Sequence, residues 1–338
     1  MLHVSRRQFL GTAALVALAA SAGRAFQPPT DAKVALERRK LGNTDMEVTI
    51  LGFGGAEIGY QNVDQAVIDT LLNSALDAGL NVIDTAECYA GSEEAIGKAV
   101  SSRRKEFYLF TKVGHAFGRN ADGWTAPAIE KSIGRSLERL KTDRVDLVQL
   151  HSCSLDTLKK GECIEALEKA KKAGKTRAIG YSGDSAAALF AVESGRFDTL
   201  QTSISFADQE AIALTLPKAI EKNIGIIAKR PIANAVWRHD TEPGGGAREY
   251  WKRAHKLAYD FTTGPAREDA GPDGAAGVAL RFTSFSPGGH VAIVGTTKPE
   301  RWKQNAGLVR AGALPKARYD AIRARWNEAA EPGWTGQT

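Results

Sequence analysis

Eight short apolar runs, separated by stretches with helical spacing, narrow the folds open to this chain. From Val48 they read VTILGFGG, NVIDT, FYLFTKV, VDLVQLH, TRAIGYS, DTLQTSIS, IGIIAKR and VAIVGT. Between them, residues 64–79, 92–102, 127–140, 161–173, 185–194 and 210–223 repeat apolar side chains at intervals near three and four, as an amphipathic helix requires. Gly79 and Gly174 each stand just before an apolar run, where a left-handed helix cap is needed. Eight strands with crossover helices predict an α/β fold, one (β/α)8 TIM barrel with parallel strands buried on both faces. A doubly wound sheet is the competitor, but no G-x-G-x-x-G follows an early strand.

Two parts stand outside the eightfold pattern. RRKLGNTDMEVTI, from Arg38, reads as an N-terminal β-hairpin that plugs the barrel floor. A long loop after strand 7, residues 237–276, is rich in Gly, Pro and charge, with a short helix expected over 249–259. Loops of that length are either disordered or functional, and its aromatic residues favour a lid or cofactor belt.

The first 25 residues read as a leader rather than as part of the barrel. SRRQFLG places paired arginines before FLGTAALVALAASA, an apolar run too short to span a bilayer as a helix. This stretch resembles a twin-arginine signal peptide, with an ordinary secretory leader or an uncleaved anchor the competing reading. The resemblance implies the Tat export machinery as a partner, a periplasmic or extracytoplasmic location, and no stable membrane insertion once the leader is cleaved. Residues 26–37 read as a linker and 38–338 as the barrel. The formal net charge is +6, but Arg6, Arg7 and Arg24 belong to the leader, leaving 42 bases against 39 acids. That balance calls for no nucleic-acid partner. Three irregularly spaced cysteines and six histidines without an H-x-x-x-H pair form no metal motif.

In such a barrel, chemistry sits at the carboxyl ends of the strands. Strand two ends in Asp84, with Tyr89 in the loop beyond; strand three carries Lys112 and strand four ends in His151. Neighbouring strands bring these ends together, and Lys112 supplies the cation that a carboxylate at the core's edge needs. An ammonium beside the phenol favours its ionised form and makes Tyr89 a better acid. Tyr89 would protonate a carbonyl oxygen while His151 hydrogen-bonds it. The group contains no nucleophile and no metal, so a bound nicotinamide would have to supply the hydride.

DTAECYAGSEEAIGKAV, LFTKVG, LVQLHS and the opening KLGNTDMEVTILGFGG resemble the motifs of the aldo-keto reductase superfamily, over about Arg38 to Asn305. The resemblance implies that Asp84, Tyr89, Lys112 and His151 are a catalytic tetrad and that the cofactor is NADP(H), with NAD(H) less favoured. It assigns Gly54 and Gly55 to the cofactor side. Ser182 and Gln201 are expected at the nicotinamide carboxamide and Phe206 on the nicotinamide face, while Gly183 stands where the family commonly has Asn. Arg230, Ile232 and Asn234 are expected at the pyrophosphate, Gly295, Thr296, Lys298 and Arg301 at the adenosine and its 2′-phosphate, and Gln304 and Asn305 at the adenine. Trp124, the long loop and Trp334 are expected to wall the substrate pocket.

The reading is an exported NADP(H)-dependent oxidoreductase reducing an aldehyde, ketone or sugar-like carbonyl, or oxidising the matching alcohol. A cofactor-binding regulatory barrel without turnover would keep the dinucleotide yet pass no hydride to any carbonyl. A sugar isomerase or epimerase would leave GTTKPERWKQN without a purpose. Cys88 and Cys153 flank Tyr89 and His151, as a redox pair or as plain buried fillers.

Overall fold

The computed structural model describes residues 36–115, 121–268 and 270–337. The expected leader and nearly all of the linker lie outside them. Strands β1 (Arg38–Lys40) and β2 (Glu47–Thr49) form an antiparallel hairpin. The following strands are β3 (Leu51–Gly54), β4 (Val82–Asp84), β5 (Tyr108–Val113), β6 (Val145–His151) and β7 (Thr176–Ser182). They continue with β8 (Thr199–Ser203), β9 (Gly225–Lys229) and β10 (Val291–Gly295). These eight close into a parallel barrel in the order β10-β3-β4-β5-β6-β7-β8-β9, as expected. The run VTILGFGG is divided at Ile50, its first part in the hairpin and its second in the barrel.

Side-chain alternation explains how the barrel builds a polar face above an apolar floor. Val82, Phe110, Leu147, Ala178 and Ile227 share one apolar cluster inside the barrel. Two residues further along each strand the side chain points the same way. That step leads to Asp84, Lys112, Gln149, Gly180 and Lys229, and a further one to His151 and Ser182. Each strand thus passes from oil to chemistry within a single pleat.

The hairpin seals the opposite end. Leu41, Met46 and Val48 are fully buried against the same interior cluster, each contributing about 2 kcal/mol of apolar burial. Gly42 makes the turn at φ +55°, where a Cβ would lie 2.2 Å from the Gly225 backbone nitrogen. A side chain there would push the plug off β9.

The helices follow the predicted pattern with two divisions. The stretch 161–173 is a helix over Glu162–Lys172, preceded by a separate one over Leu155–Lys160. The stretch 210–223 splits into Glu210–Leu214 and Leu216–Glu221, because Pro217 cannot donate the hydrogen bond that a continuous helix needs. The helix expected over 249–259 runs Arg248–Leu257. Its Tyr250, with Phe206, Trp237, Phe261 and Trp326, belongs to a separate apolar core under the long loop and the C-terminal helix. None of the described helices is long and apolar enough to cross a membrane.

Candidate active site

Asp84 sits at the end of β4 with 1% of its surface exposed, and three side chains converge on its carboxylate. Lys112 Nζ donates to Oδ2 at 2.5 Å, while Gln201 and Gln149 donate to Oδ1 at 2.9 and 3.4 Å. Lys112 also donates to the Thr85 carbonyl at 2.9 Å. The charge at the end of a buried strand is therefore paired and solvated by protein, which is what makes its burial tolerable. Burial alone would push the Lys112 ammonium down, but Asp84 and Tyr89 outweigh it and hold its pKa above the ordinary value.

Tyr89 follows in the loop, its ring 4.8 Å from Lys112 Nζ and 5.5 Å, edge-on, from the ring of His151. Burial raises the phenol's pKa, and the opposing pull of Lys112 does not cancel it. Lys112 does pull the phenol down, as expected of an ammonium neighbour, but desolvation outweighs it. His151 is driven well below the usual histidine range, first by burial and then by the positive charges of Lys112, His115, Lys229 and Arg230. It is a neutral imidazole at pH 7. Its Nδ1 lies 3.2 Å from the Cys88 sulfur.

The loop carrying Tyr89 is anchored from behind. Arg135 Nε donates to Glu87 at 2.6 Å, and Thr111 donates to the buried Glu93 at 2.6 Å. Tyr60 donates to the Cys88 carbonyl at 3.1 Å.

Above these residues opens a cavity of about 1870 Å³. Asp84, Tyr89 and His151 line its floor, with Lys112 sealed beneath. Gly54, Gly55, Ser182, Gln201, Arg230, Ile232, Asn234, Gly295, Thr296, Lys298, Arg301, Gln304 and Asn305 all face it, as does Trp124. Arg238, Gly246, Arg267 and Glu268 bring the long loop to the same wall. The chain leaving β9 is strained there: Arg230, Ala233, Asn234 and Ala235 all adopt left-handed φ between 44° and 56°. Such conformations cost energy in residues with a Cβ and tend to concentrate at functional sites.

Two expected residues are elsewhere. Phe206 is fully buried in the second core, 5.4 Å from Phe261 and 6.0 Å from Trp237 between ring centres, and does not line the cavity. The reason is local: after β8 the chain folds back through a Ser205–Asp208 bridge, which swings Phe206 under the long loop. Trp334 packs 5.3 Å from Trp326 and borders a separate shallow depression with Gln209 and Arg323. Position 183 has no room for a larger residue, since a Cβ would lie 2.4 Å from the Tyr181 hydroxyl. Cys88 and Cys153 do not pair with each other: all three cysteines are free thiols, Cys88 meeting His151 and buried Cys153 hydrogen-bonded with Cys163.

The cavity also contains residues that the strand-end rule had not singled out. Lys229, at the end of β9, pairs with Asp184 at 2.8 Å; burial lowers the pKa of this ammonium despite its partner. Arg238 and Arg301 face the same end of the cavity as like charges. Arg301 is held below its ordinary value by burial and then by Arg238. Neither they nor Lys298 has an ion pair to a carboxylate among the described residues.

A parallel eight-stranded barrel with a buried lysine–carboxylate pair, a tyrosine and a neutral histidine under one deep cavity defines a class of barrel oxidoreductase acting on carbonyls or alcohols. The profile of the Aldo/keto reductase family matches residues 50–327, and the chain belongs to that family. It is 28% identical to the uncharacterized oxidoreductase YqkF of Bacillus subtilis (strain 168), over 85% of this chain and 96% of the relative. It is 32% identical to L-galactose dehydrogenase of Arabidopsis thaliana, over 62% of this chain and 69% of that protein. D-threo-aldose 1-dehydrogenase of Pseudomonas sp is 28% identical over 77% of this chain and 89% of its own. The holo form of aldo-keto reductase AKR11C1 from Bacillus halodurans superposes with a TM-score of 0.71 at 25% identity, over 89% of this chain and 99% of that one.

Proposed function

We propose that this protein is an NADP(H)-dependent oxidoreductase that reduces an aldehyde, ketone or sugar-like carbonyl, or oxidises the matching alcohol, with Tyr89 as the proton donor. The observation that carries the reading is the meeting of Asp84, Tyr89, Lys112 and His151 at the floor of one cavity that is also lined by Lys298, Arg301 and Arg238. The fit to a dinucleotide rests on two features. The cavity, about 1870 Å³, exceeds the few hundred to ~1,000 Å³ typical of a small-molecule site. It also gathers cationic side chains, Arg238, Lys298 and Arg301, that form no ion pair to a carboxylate among the described residues, a setting that suits phosphate. Ser182 and Gln201 would hold the carboxamide, Arg230 and Asn234 the pyrophosphate, and Lys298 and Arg301 the 2′-phosphate. The bound nicotinamide supplies a hydride.

The chain's own residues handle the oxygen. Neutral His151 donates a hydrogen bond that orients the carbonyl, and Tyr89 gives its proton to the same atom. Lys112 stabilises the phenolate that is left, and Asp84 keeps the lysine charged and in place. In the alcohol direction Tyr89 takes the proton back. The test is a panel of aldehydes, ketones and aldoses with NADPH and NADP+, followed through cofactor absorbance. Aldoses belong in it because two of the relatives are named as sugar dehydrogenases. A pure protein that binds no dinucleotide, or turns over none of the panel, contradicts the proposal.

The leader extends it. A twin-arginine signal carries folded cargo, so the cofactor would be loaded before export and held in the periplasm, with residues of the long loop along the cavity wall. Mature protein from a periplasmic fraction should release NADP on denaturation; apo protein there contradicts this part.

A further inference from the structure

The cavity floor holds one contact that the proposed chemistry leaves unused, between the thiol of Cys88 and the ring of His151. Cys88 comes from the loop after β4 and His151 from the end of β6, 63 residues apart in sequence, and Sγ lies 3.2 Å from Nδ1. Both line the cavity. We propose that Cys88 is a positioning residue for His151: its S–H donates to Nδ1 and so fixes the ring proton on Nε2, the nitrogen left to face a carbonyl oxygen. The inference rests on the oxidoreductase reading for its purpose, but not for its geometry.

A neutral imidazole has one nitrogen that donates and one that accepts, and the partner of one decides the state of the other. At a 3.2 Å contact two arrangements compete. In one, S–H donates to the Nδ1 lone pair; in the other, Nδ1–H donates to sulfur. Thiol sulfur is weak both as donor and as acceptor, but a thiol proton is far more acidic than the N–H of a neutral imidazole and the imidazole nitrogen is the more basic acceptor, so the first arrangement is preferred. It also requires both groups to be neutral. Burial raises the Cys88 thiol above its ordinary range, with Lys112 only partly opposing it, and burial and the surrounding cations lower His151. The thiol is not loose. The Tyr60 hydroxyl holds the Cys88 carbonyl at 3.1 Å, and the Glu87 backbone N–H donates to the Lys112 carbonyl at 3.0 Å. The ring is fenced by Tyr89 at 5.5 Å and His115 at 5.2 Å between centres.

The consequence is chemical. With the proton on Nε2, His151 offers a donor to the oxygen that Tyr89 protonates. With it on Nδ1, a lone pair would confront the carbonyl oxygen and repel it.

The direct test is two-bond proton–nitrogen correlation NMR on the full protein with labelled histidine, His151 being assigned through His151→Asn. Wild type should give the Nε2–H tautomer alone, Cys88→Ala and Cys88→Val a mixture, and Cys88→Ser the wild-type pattern, since a hydroxyl also donates. Kinetically, the Ala and Val variants should lose kcat roughly tenfold, the worth of one ordinary hydrogen bond, with the KM for NADPH unchanged and Ser close to wild type. A wild-type Nδ1–H tautomer, or pure Nε2–H in Cys88→Ala, overturns the proposal. The tautomer is read without turnover, so a protein that reduces no carbonyl but keeps the predicted pattern overturns the oxidoreductase reading and leaves this one standing.

Discussion

Lys112 Nζ lies 4.8 Å from the centre of the Tyr89 ring while bonded to Asp84 at 2.5 Å, so one ammonium serves both a carboxylate and a phenol. The phenol nevertheless has a raised pKa, because burial outweighs the cation. The proposed proton donor is therefore held in its protonated form at neutral pH, and the lysine acts mainly after the proton has left.

On that reading Tyr89→Phe removes the proton and keeps the ring. Carbonyl reduction should fall by about a hundredfold to ten-thousandfold, the usual contribution of a positioned acid. Dissociation constants for NADPH, measured by quenching of protein fluorescence, should change less than about twofold, as expected of a substitution that removes a single hydroxyl from the cavity floor. A variant that loses the cofactor instead would make Tyr89 a structural residue.

The buried pair should reveal itself through non-additivity. Asp84→Asn leaves Lys112 as an uncompensated charge in a closed site, at a cost of about 3–5 kcal/mol in urea unfolding. Lys112→Met leaves Asp84 with only the two glutamine donors. The double variant should cost clearly less than the two singles together. Strict additivity would mean that the two charges do not stabilise one another.

Arg301 and Lys298 are proposed to read the cofactor's extra phosphate. Replacing Arg301 by Ala removes a charge-assisted hydrogen bond, so the KM for NADPH should rise about tenfold to a hundredfold. The KM for NADH should stay near its wild-type value. Equal losses with both cofactors would place Arg301 on the part they share.

Asp208 provides a pH signature away from the cavity floor. Burial, and then the charge of Asp184, raise its carboxyl to about 7, although Tyr250 donates to it at 2.9 Å. A carboxyl whose folded pKa is raised binds its proton more tightly in the native state. Its contribution to stability is present below the unfolded pKa of about 4 and is lost as pH rises through about 7. Asp208→Asn keeps an acceptor for Tyr250 and removes the titration. Its stability relative to wild type should rise by up to about 4 kcal/mol between pH 4 and pH 7. A constant difference across that range would show that Asp208 titrates normally.

How far the site was legible depended on where each residue sits in its strand. Asp84, Lys112 and His151 occupy inward positions at the ends of three neighbouring strands, and period-two alternation places them without any knowledge of loops. Phe206 lies beyond β8, where the side-chain direction is set by the Ser205–Asp208 turn and by an aromatic core far away in sequence, with Trp237, Phe261 and Trp326 among its members. Lys229 obeyed the strand-end rule, but only its pairing with Asp184 distinguishes it from a solvated lysine. The Cys88–His151 contact was out of reach, because the distance from a loop after one strand to the end of a strand that is not its neighbour has no trace in local spacing.

The carboxylate of Asp84 is touched from β5, β6 and β8 at once. Gln201 stands four strands from Asp84 around the sheet, and the proposed cofactor side chains follow β9 and β10, so the working site comes into existence only when the cylinder shuts. Turnover would then be a gauge of ring closure: during refolding it should appear with the last strand pairing, later than helix content, and an opened barrel should be silent however much secondary structure it keeps.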